Sequence, residues 1–128
     1  MTTATEIRLR RADGTLEVAF DDGARFCLPA EYLRVESPSA EVQGHGPGQK
    51  TVVSGRRHVR VIDLEAVGNY AVRLIFDDLH DTGIYTWEYL RELGEQQATR
   101  WQAYLEELAA RGLSREPPGA SPPTRPMS

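Results

Sequence analysis

Phe76 to Leu90 reads FDDLHDTGIYTWEYL, and this stretch decides the fold because it turns a strand into a helix. Tyr70 to Phe76 (YAVRLIF) leads into it as the most apolar run of the chain, which predicts a central strand buried on both faces, by the first hairpin and by a helix. From Thr86 onward Trp87, Leu90, Leu93, Trp101, Tyr104, Leu105 and Leu108 recur at helical spacing. Thr86 reads as the N-cap, with Glu88 and Glu92 favourable near the positive end. Gly94 predicts a break or kink, and Gly112 a stop, so one or two helices close the domain.

Working back toward the N-terminus, Ile7 and Leu9, then Leu16, Val18 and Phe20, alternate with polar residues around Ala12-Asp13-Gly14, which predicts a hairpin. A second turn at Asp21-Asp22-Gly23 leads to a short strand, Arg25 to Leu28, ended by Pro29, with a helical turn over Ala30 to Val35. Val59, Val61 and Ile62 form a further strand, separated from the central one by the turn at Gly68-Asn69. The fold expected is α+β: a small, mostly antiparallel sheet, a short helical turn after the third strand, and one or two C-terminal helices packed on the sheet. One domain spans 1–112. Residues 113–128, with five prolines, are expected to form a disordered tail that is mobile and dispensable.

The 128 residues are 40% hydrophobic and 27% charged, with a net charge of -4. Such a chain folds without staples and has no global attraction to nucleic acid or anionic lipid. The N-terminus lacks a secretory apolar region, and no run approaches the roughly 18 apolar residues of a membrane span. Cys27 is the sole cysteine. It permits no internal disulfide or thiolate cage, fits a reducing cytoplasm, and is expected to pack as a small apolar residue.

Two segments hold the candidate chemistry. Glu36 to Gln49 reads as a loop containing GHGPG, where His45 between Gly44 and Gly46 has no neighbouring side chain to crowd its ring. It has neither the ending of a P-loop nor the context of a dinucleotide fingerprint. In the corner, His80 reads as a residue that ties the turn by hydrogen bonds, with Asp81 beside it, and Gly83 as one at a backbone angle unfavourable to other residues. Tyr85, Trp87, Tyr89, Trp101 and Tyr104 read mainly as core, part of which is open to a partner. His58, among Arg56, Arg57 and Arg60, reads as exposed. Asp77, Asp78 and Asp81 raise the question of a metal, but the adjacency of His80 and Asp81 lacks a ligand spacing, and no G-x-S-x-G occurs.

LPAEYLRVESPSAEVQGHGPGQ and FDDLHDTGIYTWEYLRELG, with the opening hairpin, resemble the gamma-butyrobetaine-hydroxylase-like N-terminal domain family over about Ile7 to Gly112. The resemblance implies a small α+β domain that accompanies catalysis performed elsewhere. Zinc-binding members carry Cys-x-Cys-x-x-Cys where this chain has Ser37, Ser39 and Val42, so no zinc is expected. Fusions in the family imply a link to metal-cluster assembly or to an oxygenase partner. The function expected is a non-enzymatic, cytoplasmic protein-interaction module with no cofactor, no metal and no catalytic residues. It contacts a protein partner through His45, Gly46, His80, Asp81, Gly83, Tyr85 and Trp87. The alternative is a small iron-binding enzyme or oxygenase accessory subunit using His45 and His80.

Overall fold

The computed structural model describes residues 2–44 and 50–117. Its strands divide into two antiparallel three-stranded sheets, each a meander of consecutive strands. The first contains β1 (Ala4–Arg10), β2 (Thr15–Phe20) and β3 (Arg25–Pro29). Leu9 faces Leu16 and Leu16 faces Leu28 across it, so the period-2 pattern reaches the core in register. The second contains β4 (Val61–Val67), β5 (Ala71–Phe76) and β6 (Ile84–Thr86). Between the sheets run α1 (Ala30–Val35) and α2 (Ala40–Gln43), and α3 (Trp87–Glu95) and α4 (Gln97–Ala110) close the domain.

One core joins both sheets to the helices. Leu16, Val18, Phe20 and Leu28 meet Val61, Val72, Leu74, Phe76 and Tyr85, together with Tyr32, Leu33, Leu90 and Leu93. A second cluster of Val35, Val42, Val53, Tyr104 and Leu108 lies under α4. Long-range bonds lock the helices in place: the Tyr32 hydroxyl donates to the Leu93 carbonyl at 2.7 Å, and the Tyr104 hydroxyl to the Val53 carbonyl at 2.7 Å.

The structure corrects several expectations. β5 is central to its sheet, but its outer face carries Arg73, paired with Glu65 at 2.6 Å, and is only partly covered. Val59 is buried ahead of β4, which runs on to Val67. A short helix, α2, interrupts the expected loop; Ser39 caps it by accepting the Glu41 N–H at 3.2 Å. The helical break expected at Gly94 falls at Gln96, between the end of α3 at Glu95 and the start of α4 at Gln97. Gly94 is instead where the Phe26 ring approaches the backbone: a Cβ there would lie 2.5 Å from Cγ of Phe26. Cys27 is exposed on the outward face of β3, because side chains alternate along a strand and Leu28 takes the inward position.

The expected boundary at Gly112 falls short of the packed chain. Gly112 turns with a φ of 65°, and residues 113–117 run back across the domain, where Arg115 pairs with Glu31. Residues 118–128 lie outside the described residues. Among the described residues no helix is long and apolar enough to cross a membrane.

Candidate functional site

The corner after β5 is built by a tight turn. Phe76 N–H donates to the His80 carbonyl at 3.0 Å and Leu79 N–H to the Phe76 carbonyl at 3.1 Å. This forces Leu79 to a φ of 75°, costly for a residue with a Cβ, and leaves it 88% exposed. Asp78 anchors the turn. Its carboxylate accepts from the His80 N–H at 3.1 Å, from Arg34 Nε at 2.8 Å and from Arg56 Nε at 2.6 Å. Burial pushes this carboxyl up, but the His80 N–H and the two guanidiniums outweigh it and hold Asp78 below the usual range.

His80 is 5% exposed, and both ring nitrogens are engaged. Nδ1 faces Glu41 Oε1 at 3.0 Å and Nε2 faces Ser37 Oγ at 2.9 Å. Glu41 can only accept, which puts the proton on Nδ1 and makes Nε2 the acceptor of the Ser37 hydroxyl. Burial, and then the charge of Arg34, lower the tendency of His80 to take a second proton. Ser37 Oγ also accepts the Ser39 N–H at 3.2 Å, and Ser39 Oγ bonds Thr82 Oγ1 at 2.7 Å. Ser37 and Ser39 thus join this corner through hydrogen bonds, while Val42 packs in the cluster under α4. Two hydroxyls, a valine and an imidazole with no free nitrogen do not fit a zinc ion. Among the described residues no three His, Cys, Asp or Glu side chains are grouped so as to hold a metal.

The remaining corner residues divide between interior and surface. Gly83 is buried with an ordinary φ, and its lack of a Cβ is what matters: one would lie 2.6 Å from Ser37 Oγ and 3.0 Å from the Tyr85 ring. Tyr85 is 0% exposed and donates to the Leu33 carbonyl at 2.6 Å. Trp87 is half-buried, its indole N–H donating to the Asn69 carbonyl at 2.8 Å. Asp81 is exposed, with its carbonyl accepting from Arg73 at 2.8 Å. His58 is exposed, as expected, and His45 and Gly46 lie outside the described residues.

A groove of about 390 Å³ lies between α4 and residues 50–53, within the size range of ligand and anchor pockets. Val35, Val52, Val53, Ala103 and Tyr104 give it an apolar floor. At its edge the buried Glu36 carboxylate accepts from Arg100 at 2.9 Å and Lys50 at 3.1 Å. Burial pushes the Tyr104 hydroxyl up to about 12, so it stays a donor at neutral pH. Sequence reasoning missed this groove because three separated segments supply its lining, and none carries a local motif.

A family model described as gamma-butyrobetaine hydroxylase-like, N-terminal, matches residues 7–91. Two protein structures determined in solution by NMR are each 41% identical to this chain. One covers all of this chain and 99% of its own with a TM-score of 0.80; the other covers all of this chain and 95% of its own at 0.79. A crystal structure from Acidithiobacillus ferrooxidans, of a protein of unknown function in the DUF971 family, is 42% identical. It covers 72% of this chain and 92% of its own, with a TM-score of 0.61. No curated protein matches significantly.

Proposed function

Since the chain belongs to the gamma-butyrobetaine hydroxylase-like N-terminal domain family, we propose that it is a non-enzymatic interaction module of the cytoplasm that docks a partner protein in the groove beside α4. The observation that carries this reading is the contrast between the two candidate places. The His80 corner is closed, with its imidazole, hydroxyls and tyrosine bonded to one another or to backbone. The groove offers an apolar floor with charged groups at its rim, the arrangement of an anchor pocket. Its lining holds three cations, each already paired: Lys50 with Glu36, Arg100 with Glu36 and Glu92, and Arg111 with Glu107. An apolar floor ringed by such pairs suits a partner segment that sets an apolar anchor between charged residues able to exchange with them. Lys50, on the rim, is the first described residue after the expected contact region at His45 and Gly46. Asp81 and Trp87 extend the proposed surface only where they reach solvent.

The test is cross-linked capture from the native cell with wild type and with Ala103→Glu, a change at an exposed helix position that fills the groove and places a carboxylate on its apolar floor. The variant should unfold in urea like wild type and lose the captured partner; equal capture by both overturns the assignment. The iron-binding alternative requires a free ring nitrogen on His80. Stoichiometric iron in protein purified without chelator would favour that reading instead.

A further inference from the structure

On the other flank of α4, residues 113–117 form a strap whose anchor is one side chain. Arg115 meets the Glu31 carboxylate with two parallel bonds, Nε to Oε2 at 2.9 Å and Nη2 to Oε1 at 2.7 Å, and its guanidinium carbon lies 5.2 Å from the centre of the Trp101 ring. The Glu31 side chain is only 7% exposed. A fork of N–H donors on a buried carboxylate, stacked on an indole, suits arginine and not lysine, whose ammonium is a single point charge. The backbone is read as well. Gly55 N–H donates to the Ser114 carbonyl at 2.8 Å and Arg57 N–H to the Arg115 carbonyl at 3.0 Å, while the Arg57 side chain pairs with Glu116.

Little apolar burial holds the strap down. Leu113 is 40% exposed, and Ser114 and Glu116 are exposed. Segments held by a few polar contacts at the surface open at low free energy. A cleft of about 250 Å³, lined by Pro29, Tyr32, Gln97 and Trp101, lies beside the guanidinium and is left unfilled by the strap.

We propose that this cleft, together with the Glu31 and Trp101 anchor beside it, is a recognition site for an extended, arginine-bearing peptide segment of a partner protein, and that Arg115 occupies the anchor as an exchangeable ligand supplied by the chain itself. The segment recognised has a carbonyl to meet the Gly55 N–H, an arginine for Glu31 and Trp101, an acidic residue for Arg57, and a further side chain to fill the cleft. The inference is independent of the groove at Ala103. The tethered strap competes at an effective concentration of about millimolar, so an incoming segment must displace it.

The experiment uses a fluorescent, capped peptide of residues 113–117 (LSREP) and the full-length chain. The Arg115→Ala chain should bind this peptide about 10-fold or more tightly than wild type does. Replacing the peptide arginine by lysine, or adding Glu31→Gln to that chain, should each weaken binding about 10-fold. Equal binding of the arginine and lysine peptides, or no effect of Glu31→Gln, overturns the proposal. Should Arg115→Ala fail to fold, excess peptide is added to wild type and followed by NMR. The Gly55 and Arg57 amides and the Trp101 indole should then shift with the arginine peptide alone, and unmoved resonances refute the site.

Discussion

Gly94 sets two effects against each other. Alanine would add about 1 kcal/mol of helix propensity, yet its Cβ would lie 2.5, 2.6 and 2.8 Å from three ring atoms of Phe26. Overpacking of that kind costs about 1 to 3 kcal/mol, so Gly94→Ala is expected to lose roughly 1 kcal/mol in urea unfolding, where a propensity effect alone would raise the midpoint. His80 makes a second prediction, in pH. Its ordinary value is 6.5 and the fold lowers it, with Arg34 opposing protonation while Glu41 and Asp78 favour it. Below 6.5 the unfolded chain therefore binds more protons than the folded one, and stability falls as pH falls until the folded value is passed. Between about pH 7.5 and 5.5 the urea midpoint of wild type should drop, whereas His80→Gln should start lower and change less. A flat wild-type profile would refute this. His80 reads from sequence as tying its own turn, but its ring bonds Glu41 and Ser37, 39 and 43 positions away, and the turn itself is held by backbone bonds and the Asp78 carboxylate. Gly83 was singled out for its backbone angle, but its role is to leave room for Ser37, a residue distant in sequence, and for the nearby Tyr85 ring. The residue at a positive φ is Leu79, in a turn with no glycine or asparagine to mark it.

At the scale of elements, capping decides where the last helices begin. Thr86 ends β6 and caps α3 by accepting the Tyr89 N–H at 3.1 Å. Thr86→Ala should cost about 1 kcal/mol, while Thr86→Ser should recover most of it; equal losses in both would place the effect in β6 packing instead. Strands longer than one alternation and helices longer than two turns were readable, since the period repeats enough to show. Ile84 to Thr86 and Ala40 to Gln43 are too short to display a period, and α2 was read as loop despite Ser39 at its start. The division of the strands into two sheets was also unreadable. Alternation fixes which face of a strand is apolar but not which strand lies beside it.

For the molecule as a whole, composition marked everything after Gly112 as dispensable, whereas residues 113–117 are bonded to the rest of the domain. Ending the chain at Gly112 strips a buried carboxylate, Glu31, of its partner. With Arg115 itself partly exposed, the loss should be roughly 1 to 3 kcal/mol, or about 5 to 15 °C in Tm, against a control chain ending at Pro117. An unchanged Tm would show that Glu31 is satisfied by solvent. The strap also bears on time. Each sheet pairs only consecutive strands, so loop-closure entropy is low and much of the molecule assembles through neighbours in sequence. The Arg115 to Glu31 pair, 84 positions apart, falls outside that local assembly and is expected to close after the folding barrier has been crossed. Contacts absent at the barrier slow unfolding without speeding folding. Removing residues 113–117 is therefore expected to speed unfolding and leave the folding rate unchanged, which stopped-flow chevrons of the two chains would check.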